Sequence, residues 1–403
     1  MYSKYKYLSA QIDPAAIIHN CGIIRGLIPG GCRLCPAVKC NAYGHGIEIV
    51  LPAVRSAEAE MLCISAVFEA EQLLELGWDR PILLLGSEFS IYSGKEKHEL
   101  ARWIVENQIR ITITNKNDTE SLRRAAESVK RPAVVHIKLD SGMSRMGLSE
   151  QNLLELITEL RNDKNFFIEG LYTHLATADE TDKSFAEYQL QRFNKLIKQL
   201  KKTSLQIPII HAANSGAIID LPESSFDMVR PGISIYGCHP SPQMRNKPDL
   251  KPAMKVVSFL TFVKNIPAGS HIGYGCTHKA SKDMLIGVVP IGYGDGYDRR
   301  LSNIGKMTIA GQLVPVVGRV SMDQTVVDLT EIGSKGIKVS AGQEVIVIDN
   351  VRSAPNSIES IAEMLGTVPN EIMTRLGPRI QRVQSNPPNE PATRKAGKRR
   401  INL

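Results

Sequence analysis

Several residues capable of acid, base or anion-binding chemistry stand at or just after the ends of short apolar runs in this 403-residue sequence. They are Lys39, Arg145, His174, Asn214 with Ser215, and Arg230 with Gly232. If the runs are strands of one barrel, their carboxyl ends open at a single mouth, where enzymes of that architecture place their active sites. The sequence therefore predicts one site built from a lysine, two arginines, a histidine and loops of small residues.

Two of these loops are candidates for binding a phosphate group. Asn214-Ser215-Gly216 and Gly232-Ile233-Ser234 have the composition of the cradle that follows strands seven and eight of such barrels. A phosphate at that end and a lone lysine facing it suggest pyridoxal phosphate, whose aldehyde forms a Schiff base with a lysine. Position alone leaves a second interpretation open, because a lysine after a strand is usually just solvated and Ser/Gly loops are common.

The elements that must position these residues are eight short runs rich in β-branched and apolar residues. They span residues 33–39, 61–65, 81–86, 110–114, 133–140, 167–174, 207–212 and 226–230. A helix-like stretch follows each of the first seven runs. This alternation predicts an α/β protein whose first domain is a (β/α)8 TIM-like barrel.

The sequence changes character after Pro240, where a linker leads into β-rich segments with turn glycines. These segments predict a C-terminal all-β domain that ends with two short helical stretches. The predicted division is a barrel over residues 9–245, a β-rich domain over 246–384 and a basic, disordered tail over 385–403.

Bulk composition is ordinary for a soluble protein, with 43% hydrophobic and 22% charged residues. No apolar run approaches the roughly 20 residues of a membrane helix, and the N-terminus lacks the pattern of a signal peptide. We therefore expect a cytoplasmic protein with no membrane partner. Half of the net charge of +8 lies in the tail, where five basic residues oppose Glu390. Because the remainder contains nothing like a recognition helix, these features argue against a nucleic-acid partner.

The seven cysteines are an odd number scattered along a long chain, which favours reduced thiols. Cys32 and Cys35 form a C-x-x-C pair that could indicate redox chemistry or half of a zinc site. No second pair and no His-x-His follows at ligand spacing. We therefore expect no metal.

Eight blocks of the sequence resemble, in order, those of the alanine racemases, a family of pyridoxal-phosphate enzymes. They are AVKCNAYGHG around Lys39, IKLDSGMSRMG (137–147), YTHLATADE (172–180), HAANSGA (211–217), MVRPGISIYG (228–237), GYGCTHKA (273–280), IGYGDGY (291–297) and VGRVSMDQ (317–324). The resemblance runs from about Leu8 to Gln381. Because the motifs span both predicted domains, they carry more weight together than any one alone.

The resemblance implies interconversion of L- and D-alanine by two-base proton transfer on the Schiff base of pyridoxal phosphate, supplying D-alanine for peptidoglycan. Lys39 would be the Schiff-base anchor and one base, and Tyr274 of the partner subunit in a homodimer would be the other. Bases on opposite faces suit a racemase, because the α-proton leaves one face and is returned to the other. A tyrosine of pKa about 10 needs nearby positive charge or donors to act as a base, for which Arg145 and His174 are candidates.

Other residues of the matched blocks would bind the cofactor and the substrate. The cofactor contacts implied by the resemblance and by the phosphate loops are Lys39, Tyr43, Asn214, Ser215, Arg230, Gly232 and Ile233. Arg145 would hold the substrate carboxylate and the phenolic oxygen of the cofactor. Met322 of the partner subunit would contact the substrate.

Arg230 carries information about the type of reaction. Many pyridoxal enzymes set a carboxylate against the pyridine nitrogen, which keeps it protonated and makes the ring an electron sink. A guanidinium can only donate, so the ring nitrogen should stay unprotonated. We therefore expect transamination and decarboxylation to be suppressed and simple proton return to be favoured.

Lys138 matches a position where the lysine of this family is often carbamylated, which turns a cation into an anion able to orient Arg145. The residue lies inside a predicted strand, where a bare buried ammonium is costly. We therefore expect either modification or an acidic partner.

Three positions depart from the usual pattern of the family. Ser144 replaces a usual glycine, Pro231 stands where an aromatic or other residue is common, and Thr374 aligns with a phosphate-contacting tyrosine of some members. Threonine fills less volume than tyrosine, although it can still donate a hydrogen bond. A roomier pocket would admit serine or larger substrates, so a broader-specificity or serine racemase of the same fold is the alternative.

Three other functions are alternatives to the racemase. A barrel decarboxylase of basic amino acids would place an acidic residue at the ring nitrogen, against which Arg230 argues. A non-catalytic pyridoxal-phosphate carrier would lack the β-domain, so the block containing Tyr274 argues against it. Nucleic-acid binding through the RKAGKRR tail would be an accessory role, recognised by salt-sensitive binding that is lost with the tail.

Overall fold

The computed structural model describes residues 7–202 and 205–385. Its first strand, β1 (Ser9–Ile12), pairs with strands from the C-terminal part of the chain. Helix α1 (Pro14–Leu27) follows, and the carboxylate of Asp13 caps it by accepting a backbone hydrogen bond of its first turn. The chain then enters the barrel.

The barrel consists of eight parallel strands. They are β2 (Arg33–Leu34), β3 (Leu62–Ile64), β4 (Ile82–Leu84), β5 (Arg110–Ile113), β6 (Ala133–Lys138), β7 (Phe166–Tyr172), β8 (Ile209–His211) and β9 (Met228–Val229). Their order is β2-β9-β8-β7-β6-β5-β4-β3, and a parallel bridge between Ala37 and Cys63 joins the continuation of β2 to β3. The eight predicted runs therefore supply the eight strands, and the predicted barrel is confirmed.

Helical segments follow the strands. They are α2 (Lys39–Tyr43), α3 (Ile47–Ser56), α4 (Val67–Glu75), α5 (Gly94–Glu106), α6 (Thr119–Val129), α7 (Glu150–Leu160), α8 (Ser184–Lys201) and α9 (Ser215–Asp220). The longer ones turn an apolar row toward the strands, as α8 does with Leu190, Phe193 and Leu196. Strand β6 is buried at every position, as expected of a parallel strand covered on both faces.

The C-terminal part is rich in β-structure. Its strands are β10 (Met254–Phe259), β11 (Phe262–Ile266), β12 (His271–Ile272), β13 (His278–Lys279), β14 (Met284–Val289), β15 (Lys306–Ile309), β16 (Gln312–Pro315), β17 (Thr325–Asp328), β18 (Glu344–Ile348) and β19 (Gln381–Gln384). Strands β16-β15-β18-β10-β1-β19 form one sheet, β11-β14-β17 a second and β12-β13 a hairpin. Three short helices accompany them: α10 (Thr330–Ser334), α11 (Ile358–Leu365) and α12 (Pro369–Arg375).

The position of β1 differs from the predicted boundary at residue 9, which assigns this strand to the barrel. Strand β1 instead lies between β10 and β19 in the six-stranded sheet. A four-residue strand of sequence SAQI contains no local information about which sheet it will join, because the choice depends on long-range pairing. The rest of the division at 245 and 246 stays a prediction, and the predicted tail lies outside the described residues from position 386 onward.

No helix within residues 7–202 and 205–385 is long and apolar enough to cross a membrane.

Candidate active site

A cavity of about 390 Å³ opens at the carboxyl ends of the barrel strands. The predicted site residues that line it are Lys39, Tyr43, Lys138, Arg145, His174, Asn214, Ser215, Arg230, Gly232 and Ile233. Residues from strands and loops far apart in the chain therefore meet at one mouth, as expected for the carboxyl ends of parallel barrel strands.

Two predicted residues, Tyr274 and Met322, do not line this cavity. Both lie in the β-rich part, and 71% of Tyr274 and 53% of Met322 are exposed. Large apolar side chains so exposed are often covered by a partner. The site of one chain is thus formed without the two residues that the resemblance attributes to the partner subunit.

The segment after Lys39 is a left-handed helical turn. Cys40, Asn41, Ala42 and Tyr43 all have φ between 52° and 54°. A left-handed conformation costs non-glycine residues roughly 1–2 kcal/mol each, so a run of them needs support from the surrounding structure. This turn could not be predicted from the sequence, because none of its four residues is glycine.

The turn carries the phenol of Tyr43 to the loop that follows β9. A Cβ atom on Gly232 would lie 2.4 Å from the hydroxyl oxygen of Tyr43, so any side chain there would displace the phenol. On the other side of this loop, Ser215 Oγ accepts hydrogen bonds from the backbone N–H of Gly232 at 2.8 Å and of Ser234 at 3.3 Å. The hydroxyls of Tyr43 and Ser215 thus flank this loop, and hydroxyl groups beside the backbone of a glycine are donors of the kind that bind a phosphate.

Asn214 contributes to this cradle indirectly. Its Oδ1 caps α9 by accepting the N–H of Ala217 at 3.0 Å, and its Nδ2 donates to the carbonyl of Leu175 at 3.2 Å. Both polar groups of the side chain are therefore engaged within the protein. The residue orients the first turn of α9, on which Ser215 stands.

Arg230 is fixed by neutral acceptors on all sides. Its side chain donates to the carbonyls of Thr173 at 2.8 Å and Ala212 at 3.0 Å, and its Nη1 lies 2.5 Å from Nδ1 of His211. Only 4% of the residue is exposed, and burial lowers the pKa of its guanidinium. Because these partners hold its position, Arg230 presents a rigid donor group to the cavity.

A chain of hydrogen bonds runs from Arg230 into the barrel interior. Nε2 of His211 lies 2.8 Å from Nδ1 of His136, and Nε2 of His136 lies 3.0 Å from Glu169, whose carboxylate also binds Arg110. An arginine can only donate, so His211 must accept at Nδ1 and donate at Nε2, and His136 must do the same. Every tautomer is thereby determined, and the chain ends on a negative charge.

Burial and charge maintain this arrangement. Burial places the pKa of His211 well below its ordinary value, so its imidazole is neutral. Burial alone would raise the pKa of Glu169, but hydrogen bonds from His136 and Arg110 hold it at about 2. Gly170 makes room for the chain, because a Cβ there would lie 2.2 Å from Nδ1 of His136. This row of hydrogen bonds could not be predicted from the sequence, because polar residues on three separate strands form no contiguous motif.

His174 lies beside the same guanidinium. Its Nδ1 is 3.4 Å from Nη2 of Arg230, and burial, followed by the charge of Arg230, places the pKa of His174 well below its ordinary value. The imidazole is therefore neutral, and it lines the cavity.

Lys138 is a buried lysine without a carboxylate partner among the described residues. It is 3% exposed, and its Nζ donates to the carbonyl of Met146 at 2.5 Å. Burial lowers the pKa of its amine to about 8. The charge of Asp140 opposes this lowering of the pKa, but no carboxylate forms an ion pair with Lys138 in the part of the chain that the structure describes.

Thr374 does not border the cavity, contrary to the role suggested by its alignment. Its hydroxyl donates to the carbonyl of Asn370 within the same helix at 2.7 Å, and Val368 and Asn370 line the cavity instead. A threonine one helical turn after an open carbonyl binds it readily. Thr374 therefore contributes no hydroxyl to the cavity, and its effect on the width of the pocket stays a prediction.

All seven cysteines are free thiols, including the Cys32 and Cys35 pair. Within residues 7–202 and 205–385, no group of three or more His, Cys, Asp or Glu side chains could hold a metal ion. The barrel mouth is thus the candidate site that the geometry favours.

Comparison with known proteins agrees with this geometry. Residues 12–240 match the model of the alanine racemase N-terminal domain, and residues 253–384 match that of the C-terminal domain. The alanine racemase of Methanococcus maripaludis is 38% identical over 93% of this chain and 97% of its own length. That of Clostridium novyi is 38% identical over 86% of this chain and 87% of its own.

Solved structures give the same answer. The crystal structure of the alanine racemase from Streptomyces lavendulae has a TM-score of 0.87 and 30% identity, covering 94% of this chain and 97% of that one. The enzyme from Bartonella henselae, described with covalently bound pyridoxal phosphate, has a TM-score of 0.82 and 27% identity, covering 94% and 100%. On these matches along nearly its whole length, the chain belongs to the alanine racemase family.

Proposed function

We propose that this protein is an alanine racemase that interconverts L- and D-alanine, uses pyridoxal phosphate and acts as a homodimer. The observation that carries the proposal is one cavity lined together by Lys39, the cradle of Ser215 and Gly232, and the buried guanidinium of Arg230. A lysine and a phosphate cradle are what this cofactor requires, and a donor rather than a carboxylate at its ring nitrogen is what the resemblance implies for a racemase.

The cavity residues fit the cofactor by their chemistry. As the resemblance implies, the hydroxyls of Tyr43 and Ser215 and the backbone N–H groups of Gly232 and Ile233 would hold its phosphate, and the N–H of Gly232 would exchange Ser215 Oγ for a phosphate oxygen. Lys39 would hold its aldehyde carbon. Arg230 would face the ring nitrogen. When bound, the cofactor supplies an electron-withdrawing group that acidifies the α-proton of the attached amino acid.

Two groups would move the proton. The Nζ atom of Lys39 would serve one face of the substrate, and the hydroxyl of Tyr274 from the partner subunit would serve the other. A phenol acts as a base only if its anion is stabilised. His174 is neutral and contacts Arg230. A hydrogen bond from its imidazole, polarised by the charge of Arg230, would stabilise the phenolate without adding a second cation to the site.

Arg145 would orient the substrate and Arg230 would confine the reaction. Arg145 lines the cavity and can bind a carboxylate through two parallel hydrogen bonds, while Met322 of the partner subunit would contact the substrate. Arg230 can donate but not accept, so it would leave the ring nitrogen unprotonated and favour return of the proton over transamination. Supply of D-alanine for peptidoglycan in the cytoplasm is the cellular role we propose.

The experiment that tests the function is chiral product analysis. Purified protein with pyridoxal phosphate is incubated separately with L-alanine, L-serine and L-lysine, and the D-enantiomers are quantified. We expect D-alanine to be the dominant product. Dominant D-serine would move the protein to the broader-specificity alternative, and formation of an amine or no product would contradict the racemase proposal.

We further propose that Lys138 is carbamylated. Carbon dioxide reacts with the neutral amine, and a pKa of about 8 makes that form more abundant than in an exposed lysine, increasingly so as the pH rises through 8. The product would be an anion beside Arg145, which removes a buried cation that has no carboxylate partner among the described residues.

The prediction is checked by carbon-13 NMR in labelled bicarbonate. We expect a carbamate signal in the wild type that grows with pH and disappears in Lys138→Arg. Lys183 is the internal control. It is equally buried, but its Nζ lies 2.9 Å from Oδ2 of Asp220, so we expect no carbamate signal from it. A wild-type spectrum without the signal, or a signal that survives in Lys138→Arg, would contradict the assignment.

A further inference from the structure

Glu69 is a buried carboxylate near Lys39 to which the proposed reaction gives no role. It stands in the first turn of α4, is 6% exposed and does not line the cavity. Its Oε1 accepts the backbone N–H of Cys40 at 2.6 Å, and its Oε2 accepts those of Ser65 at 2.8 Å and Ala66 at 3.1 Å. Backbone N–H groups and the positive end of α4 balance its charge.

These bonds connect the carboxyl ends of two neighbouring barrel strands. Cys40 follows the strand that begins at β2, whereas Ser65 and Ala66 follow β3. The connection is separate from the bridge of Ala37 to Cys63, which joins the same strands two to three residues earlier in the chain. A single carboxylate thus holds the two strand ends together at the height of the cavity.

The bond to Cys40 determines the orientation of Lys39 directly. The N–H of Cys40 belongs to the same peptide group as the carbonyl of Lys39, so fixing that N–H fixes the ψ angle of Lys39. On the other side, the carbonyl of Val38, which shares a peptide group with the N–H of Lys39, accepts the N–H of Ala42 at 2.8 Å. The backbone of Lys39 is therefore held at both of its peptide groups.

The support is needed because Cys40 begins the left-handed turn. Four successive non-glycine residues with positive φ persist only where external contacts determine them. Arg382 holds the far end of the turn by donating to the carbonyl of Gly44 at 2.8 Å. Glu69 holds the near end, next to the lysine.

We propose that Glu69 is the positioning residue of Lys39: it holds the Lys39–Cys40 peptide in the orientation from which the side chain reaches the substrate proton. The inference rests on the proposed function of Lys39 as a base. Because Glu69 contacts neither cavity nor substrate, its loss should act on kcat and spare KM. Small misplacement of a reacting group is costly, so we expect kcat per cofactor-loaded site to fall about 10- to 100-fold in Glu69→Gln.

Glu60→Gln is the matched control. Glu60 also accepts a backbone N–H of the first barrel strand, that of Leu34 at 2.8 Å, but at the opposite end of the strand. We expect its kcat and KM to stay within about twofold of wild type, as is usual for partly exposed side chains away from a site. Glu69→Asp keeps the charge but is too short to bridge both strand ends, so its kcat should fall as in Glu69→Gln. It serves as the test if the Glu69→Gln variant does not fold.

A second readout does not depend on activity. Hydrogen–deuterium exchange of the apoprotein should be faster over residues 38–44 in Glu69→Gln and unchanged there in Glu60→Gln. Adding Cys40→Gly to Glu69→Gln should recover part of kcat, because glycine adopts the left-handed conformation at no steric cost.

The outcomes separate the two proposals. Unchanged exchange over residues 38–44, an equal loss of kcat in Glu60→Gln, or a rise in KM instead of a fall in kcat would overturn the role of Glu69. If the wild type makes no D-alanine while the exchange difference persists, the proposed function fails and the connection of Glu69 to the Lys39 peptide stands.

Discussion

Mixing two inactive variants, Lys39→Ala and Tyr274→Phe, should restore about a quarter of wild-type turnover once subunits exchange, as shared sites in a two-fold dimer require. Each variant alone should lose about 10²–10⁴-fold, the usual contribution of a positioned acid or base. In the mixed dimer one site carries both substitutions and the other carries neither. Since half of the dimers are mixed and each has one intact site, a quarter of the sites should work.

The structural basis of this expectation is the division of the site residues. Lys39 lines the cavity, whereas Tyr274 is 71% exposed and lies outside it. The measurement is D-alanine production before and after subunit exchange in mild denaturant, with size-exclusion chromatography of each sample. Two preparations of the same variant, mixed in the same way, are the control. No recovery in a demonstrably mixed dimer would contradict the shared site.

Replacing Arg230 by glutamine is expected to lower racemisation about 10²-fold, comparable to the loss of one preorganised donor. It should also raise the ratio of pyruvate formed to alanine racemised. The amide oxygen of glutamine can accept a hydrogen bond, so the ring nitrogen of the cofactor could become protonated. Withdrawal of charge into the ring would then permit transamination.

Arg230→Lys is the informative comparison. Lysine, like arginine, can only donate, so this variant should lose turnover and keep the wild-type product ratio. Arg352→Gln controls for general effects, because Arg352 also donates to backbone carbonyls, those of Gly237 and Leu250, but away from the cavity. Pyruvate and D-alanine are measured together. Equal product ratios in the glutamine and lysine variants would show that Arg230 does not control the reaction type.

The barrel could be predicted because its strands are short, apolar and separated by amphipathic helices. All eight runs became strands, and residues at their ends, such as Lys39 and Arg230, line one cavity. This follows from a general property of parallel barrels, whose strand ends converge whatever their distance in the chain. Family membership was equally accessible, because its motifs are local strings of residues.

Other features depended on contacts that no local string contains. Strand β1 joined the C-terminal sheet because β10 and β19 offered it partners on both sides. The chain of His211, His136 and Glu169 exists because neighbouring strands align their inward positions, with Gly170 leaving the space. Such alignment is decided by strand register and becomes visible only once the strands pair.

The residues around Lys39 show where sequence and tertiary structure each contribute. The sequence by itself determined that a lysine stands at the end of a buried strand, followed by residues typical of a cofactor-binding block. Tertiary structure decided the conformation of that block, because the left-handed turn is unfavourable for non-glycine residues, and distant groups, Glu69 and Arg382, bind its two ends. Residue type and order therefore specify which reactive groups are available, and long-range hydrogen bonds decide how those groups are oriented.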